Sequence, residues 1–168
     1  MTETARFALP LLHAGQSQKE MFHNEAITRI DSLLHPAVVA IGVTVPPVDP
    51  APGAAWIVGP AASGAWADHP DAVATWADGG WRFATPRPGL SVWVESLGVT
   101  ARYHAGAWEA GVIGAARIEI GGVQILGAQG AAIAAPTGGA VTDSEARTAI
   151  AAILDAMRAH GLIAATEL

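Results

Sequence analysis

Apolar positions change period several times along the chain, and each period predicts a different element. Phe22, Ile27, Ile30, Leu33 and Leu34 recur at helical spacing until Pro36 stops the run. Ser17 followed three residues on by Glu20 has the form of a capping box. The pattern predicts a helix over 17–34. Its apolar face carries those five residues, its polar face carries Lys19, Thr28, Arg29 and Ser32, and Asn24 is its weak point. Residues 1–16 read as an arm, since Leu9, Leu11 and Leu12 want burial while Pro10 prevents helix. Such an arm docks on its own domain or on a neighbouring subunit.

The period then shortens. The β-branched run 38–45 reads as one buried strand, and the four prolines of 46–53 as a stiff connector. Strands are predicted near 55–58, 73–76, 81–84, 91–95, 99–103 and 107–110. Asp78-Gly79-Gly80 makes a tight hairpin. Leu90, Val92 and Val94 alternate with Ser91, Trp93 and Glu95, which puts Trp93 opposite the aliphatic residues. Ile118 and Ile120, then Gly121-Gly122, then Val123 and Ile125 predict a second hairpin over 117–126. Residues 127–139 are a Gly/Ala-rich link. The last element is a helix opened by a capping box from Thr142 to Glu145. Ala146, Ala149, Ile150, Ile153, Leu154 and Met157 form a narrow seam on it, and Gly161 with Leu162 closes it in a Schellman motif.

All six tryptophans fall within 53–108: Trp56, Trp66, Trp76, Trp81, Trp93 and Trp108. Rings so placed fill a thin core or subunit interface, or else stack on sugars. Trp66, in a turn-rich segment, and Trp93 are the candidates for exposure. With Asp68 they form the candidate glycan-binding set. Ile150, Ile153, Leu154, Met157, Leu11 and Leu12 are the candidate oligomer interface. The net charge of −6 excludes the cationic footprint of a nucleic-acid or anionic-membrane partner. With no cysteine, disulfides and thiolate chemistry are excluded. No Gly-x-Ser-x-Gly elbow, phosphate loop or His-Glu-x-x-His pair occurs. Asp68-His69-Pro70-Asp71 reads as a turn rather than a metal or glycosidase site. No catalytic, cofactor or metal residue is therefore assigned, and no enzyme is expected. Without a signal-peptide pattern, the expectation is synthesis in the cytoplasm.

Two groups of residues carry a resemblance. Leu9 to Glu20, His23-Asn24-Glu25-Ala26, Ile30-Asp31-Ser32-Leu33, Gly64-Ala65-Trp66 and Asp78 to Phe83, with Pro86 and Gly89, resemble an uncharacterised domain family of alphaproteobacterial phages and prophages over about 8–110. Asp143 to Ile150 with Arg158 to Ile163 is similar to the closing helix of short phage structural proteins. The resemblance implies a component of a phage or gene transfer agent particle, a tail-fibre or head-spike part, and brings no catalytic residues. Relatives continue into long fibres, which favours a short spike, a base or an adaptor here. The implied partners are copies of itself in a closed trimer or pentamer, capsid or tail proteins, a spike or fibre protein, and cell-surface polysaccharide. The expected fold is α+β, mainly β: a small antiparallel Trp-rich module, sandwich or barrel-like, flanked by an N-terminal helix and a C-terminal amphipathic helix. The expected divisions are 1–37 for arm and helix, 38–112 for the module, 113–140 for hairpin and link, and 141–168 for the last helix and tail.

Overall fold

The computed structural model describes residues 2–13, 15, 19–139 and 143–164. It is mainly β with two helices, and no sheet closes into a barrel among the described residues. The chain divides into two units, Met1–Val112 and Ile113–Leu168.

In the first unit, helix α1 spans Lys19–Leu33. Strands β1 (Ala37–Val38), β2 (Ile41–Val43), β3 (Ala55–Val58), β4 (Val73–Ala77), β5 (Gly80–Ala84), β6 (Ser91–Val94), β7 (Val99–His104) and β8 (Ala107–Ala110) follow. They form two four-stranded sheets, ordered β2-β3-β4-β5 and β1-β6-β7-β8. The strands predicted from 55 onward all appear, within one residue at each end. The sheets are not wholly antiparallel, because β1 joins β6 and β2 joins β3 in parallel.

The single strand expected over 38–45 is in fact one segment shared between both sheets. Ala37 and Val38 pair with Trp93 and Val94 of one sheet, and Ile41 and Val43 with Ile57 and Val58 of the other. Between them, Val39 N–H donates to Ala55 O at 2.8 Å and Ile57 N–H donates to Ala40 O at 3.0 Å. Within 38–45 only Val38 is fully buried, while Val39 and Val45 are exposed, which corrects the expectation of a buried strand. A largely β-branched run carries no polar position before Thr44 to mark the switch.

Two cores follow from strand alternation. Val38, Ile57, Val73, Val92, Val94 and Ala101 form a cluster drawn from both sheets, which therefore pack face to face. Val58 and Ala74 point the other way and pack with Trp66.

Helix α1 departs in part from its predicted faces: Lys19 and Arg29 are exposed as expected and Ile27 is half-buried, but most of the apolar set lies outward. Phe22, Ala26, Ile30 and Leu33 are exposed, while Asp31 and Ser32 are buried and Asn24, Glu25 and Thr28 half-buried. Thr28 and Ser32, expected on the solvent side, lie inward. The physical reason lies in the arm. Thr4 Oγ1 (2.7 Å) and Phe7 N–H (2.9 Å) donate to Asp31 Oδ1, and Arg6 N–H donates to Oδ2 at 3.0 Å. In return the Arg6 guanidinium donates to the carbonyls of Asp31, Ser32, Leu34 and His35, the groups a helix C-terminus leaves unpaired. Asn24 holds Leu12 by both backbone groups, at 2.8 and 3.0 Å. The polar face is thus satisfied by the arm, which docks on its own unit. Ser17 of the first expected capping box lies outside the described residues.

In the second unit, β9 (Ile118–Ile120) and β10 (Val123–Leu126) form the predicted hairpin, with Gly121 and Gly122 both at positive φ. Helix α2 spans Ser144–Ala159. Thr142 of its expected capping box lies outside the described residues; Asp143 is the N-cap, accepting from Ala146 N–H at 2.8 Å. The Schellman closure forms as predicted: Gly161 has φ +69°, and Leu162 N–H donates to Met157 O at 2.9 Å. Arg147 reaches the carbonyls of Pro136 and Gly138, and Arg158 that of Ile133, so α2 rests on the Gly/Ala-rich link.

The end of β2 runs hard against Gly59, whose N–H donates to Val43 O at 2.8 Å. A Cβ at Gly59 would lie 2.5 Å from Gly42 O, a backbone atom, and 3.0 Å from Thr44 Cγ2. Gly59→Ala should therefore cost about 2 kcal/mol. Urea unfolding followed by tryptophan fluorescence measures this, and an unchanged midpoint would show that β2 is free to move aside.

Candidate functional site

The tryptophans separate into a core group and an exposed ring. A 3₁₀ turn, Gly64–Trp66, carries Trp66 over the face of β3, β4 and β5. Its ring centroid lies 4.9 Å from that of Trp81 and 6.2 Å from that of Trp56, and Trp81 in turn meets Trp76 edge-on at 5.0 Å. Trp66 is fully buried, which corrects the expectation that it is exposed. The small residues before it let the turn fold back, and the flat ring fills the space over Val58 and Ala74. A ring so enclosed cannot stack on a sugar. Its neighbour Asp68 is exposed. His69 stacks on Phe83 at 3.7 Å, and Asp71 O accepts from Trp108 Nε1 at 2.8 Å, so 68–71 is a turn tied into the packing. No group of three metal-ligating side chains occurs among the described residues.

Trp93 is 47% exposed. It stands on the outer face of β6, paired with Thr100 on β7 and Ala37 on β1. The next cross-strand row on that face is Ser91, Arg102 and Glu109, in which Arg102 Nη2 lies 3.2 Å from Glu109 Oε2. A flat ring beside hydroxyls and an ion pair is the arrangement that could hold a polar ring-shaped ligand.

A concave feature lies elsewhere in the unit, among residues remote from one another in sequence. A cleft of about 280 Å³ lies between the arm, α1 and the β4–β5 hairpin. Asn24, Glu25, Thr28, Asp31, Thr75 and Arg82 are among its lining residues. Thr75 Oγ1 is buried with no hydrogen-bond partner among the described residues. Glu25 bridges the two sides, with Oε2 2.8 Å from Arg82 Nε and Oε1 3.1 Å from Arg29 Nε. Burial pushes the Glu25 carboxyl up, but the hydrogen bonds and charges of Arg82 and Arg29 outweigh it and hold the pKa below the usual glutamate range. The sequence signal for this cleft was the spacing of Asn24, Thr28 and Asp31, which is as helical as that of the apolar residues.

The candidate interface residues scatter. Leu11 and Leu12 are half-buried in the docked arm. On α2, Leu154 is buried and Met157 half-buried, while Ile150 and Ile153 are exposed. The seam is therefore split, with only one edge covered within the chain.

A family model described as protein of unknown function (DUF2793) matches residues 23–109, just over half of the chain. The chain belongs to this family. The DUF2793 match runs from within α1 to β8, so it takes in both sheets, the tryptophans and the Glu25–Arg82 bridge. The arm and the second unit lie outside it, as does the resemblance carried by Leu9 to Glu20. No curated protein matches the chain. No described helix is long and apolar enough to cross a membrane.

Because the folded pKa of Glu25 lies below its unfolded value, the bridge stabilises fully above the unfolded value of about 4.3 and is lost as pH falls through the folded one. Solvent screening holds the gain below about 1 kcal/mol. Glu25→Gln should lower the urea midpoint at neutral pH, and the difference from wild type should shrink in acid. A difference constant with pH would mean that the carboxylate's charge plays no part.

Proposed function

We propose that this DUF2793 protein is a non-enzymatic structural component of a phage-like particle, a phage or a gene transfer agent. There it forms the base or adaptor of a head spike or tail fibre as a closed homo-oligomer, contacting capsid or tail proteins and a spike or fibre protein. The phage association is implied by the sequence resemblance. The observation that carries the structural role is the outward face of α1. Phe22 is 80% exposed, and Ala26, Ile30 and Leu33 continue the stripe at helical spacing. The arm satisfies the opposite, polar face of the same helix, so the stripe is held outward by the fold. A contiguous apolar surface of this kind marks a protein contact.

Purified particles probed for the chain test this reading, together with light scattering of the isolated protein. Phe22→Asp should leave tryptophan fluorescence unchanged and reduce incorporation at least about tenfold. A strictly monomeric wild-type protein that never enters particles would sink the proposal.

A second reading is favoured by Trp93 alone: a module that binds cell-surface polysaccharide on the outer face of β6 and β7. Trp93→Ala should then abolish binding on a glycan array or to capsulated cells without lowering the unfolding midpoint. Undiminished binding would remove this reading.

A further inference from the structure

The second unit lacks a core of its own. Among its described residues only Leu154 and Ile163 are buried, and every residue of β9 and β10 is exposed. Burying two side chains does not offset the entropy of ordering a unit of this length. An isolated two-stranded hairpin is itself marginal in water. The hairpin nevertheless has a sorted face. Ile120 pairs with Val123 and, past a register shift between Gln124 and Leu126, Ile118 pairs with Leu126, which puts these four aliphatic residues on one side. Glu119 pairs with Gln124 on the other, where Arg117 joins Glu119 in an ion pair.

We infer that the second unit folds only on assembly, with the aliphatic faces of β9–β10 from several copies of this chain meeting around a rotation axis. This rests on the homo-oligomer proposed above and names the surface that builds it. Two observations select a second copy as the occupant. The face carries no charge, so identical faces meet without like-charge repulsion. The α1 stripe, by contrast, is edged by Lys19 and by the Arg29–Glu25 ion pair, so copies of it would have to bring charged groups together. In addition, the exposed edge of α2, Ile150 and Ile153, belongs to the same unit and offers further apolar surface once the hairpins associate.

The tryptophans make the test clean, since all six belong to the first unit. Their fluorescence and near-ultraviolet dichroism report that unit, and amide exchange at 144–159 reports α2. The full chain carrying Ile120→Asp and Val123→Asp should scatter as a monomer and keep its tryptophan signals. Its α2 amides should exchange at least about 100-fold faster. Gln124→Ala, on the other face, should assemble as wild type does. Dilution of the wild-type protein should lower scattering mass and α2 protection together. Unchanged assembly of the double variant would overturn this inference and leave the oligomer standing. So would α2 protection that persists in a diluted monomer. A wild-type protein that is monomeric at every concentration would overturn both.

Discussion

One segment of seven residues, from Ala37 to Val43, is hydrogen-bonded into both sheets, and the body of the protein depends on it. A sandwich normally keeps its sheets together by packing alone. Here a covalent strand crosses between them, so the sheets cannot slide without breaking ladder bonds at Val38, Val39 or Ala40. Val38 sits at the crossing, fully buried within the shared core. The segment also begins directly after α1, which ties the position of the helix to the sandwich. Close approach at Gly59 then fixes where the second half of the segment ends.

The arm makes the inverted helix affordable. A carboxylate buried near a helix C-terminus meets the negative end of the dipole and is unfavourable there. Asp31 is kept by three donors from the arm, and Arg6 places a cation against the same helix end. The two exchanges are reciprocal, because the Arg6 guanidinium donates to carbonyls at and just past the end of α1 while its backbone N–H donates to Asp31. Once this polar face is satisfied inward, geometry leaves Phe22, Ala26, Ile30 and Leu33 outward. The outward apolar stripe is thus a consequence of a buried polar network, and the network holds only while the arm is docked.

Strands were legible in the sequence wherever one face is buried and the other wet, as for Val92 and Val94 against Ser91 and Trp93. Turn chemistry was legible where glycine must take positive φ, as at Gly121, Gly122 and Gly161. What escaped has a common cause. Periodicity shows that a helix has two faces but does not say which one the fold takes inward. In α1, Asn24, Thr28 and Asp31 repeat as regularly as the apolar set, and only donors far away in the chain decide between them. Trp66 lies outside any periodic element, so its direction depended on how a flexible turn folds back. The cleft with Glu25 and Arg82 joins residues 57 positions apart, a distance that no local pattern reports.

The two units therefore solve the stability problem differently. The first has two clusters and a satisfied polar network, enough to fold as a body. The second has an aliphatic hairpin that is hazardous when left exposed, because uncovered strand edges invite wrong pairing. Coupling its folding to assembly, as we propose, would limit that hazard. Before assembly the hairpin is not yet a preformed edge, and the Gly/Ala-rich link around it has little side-chain surface to bury. In the proposed assembly the hairpin is covered by its own copies. This division also separates the two apolar surfaces by chemistry. The uncharged hairpin is suited to like copies, and the α1 stripe, edged by Lys19 and the Arg29–Glu25 pair, to an unlike surface that carries polar groups at its rim. The role we propose, in which the chain closes on itself and also attaches to something else, needs two such surfaces that do not compete.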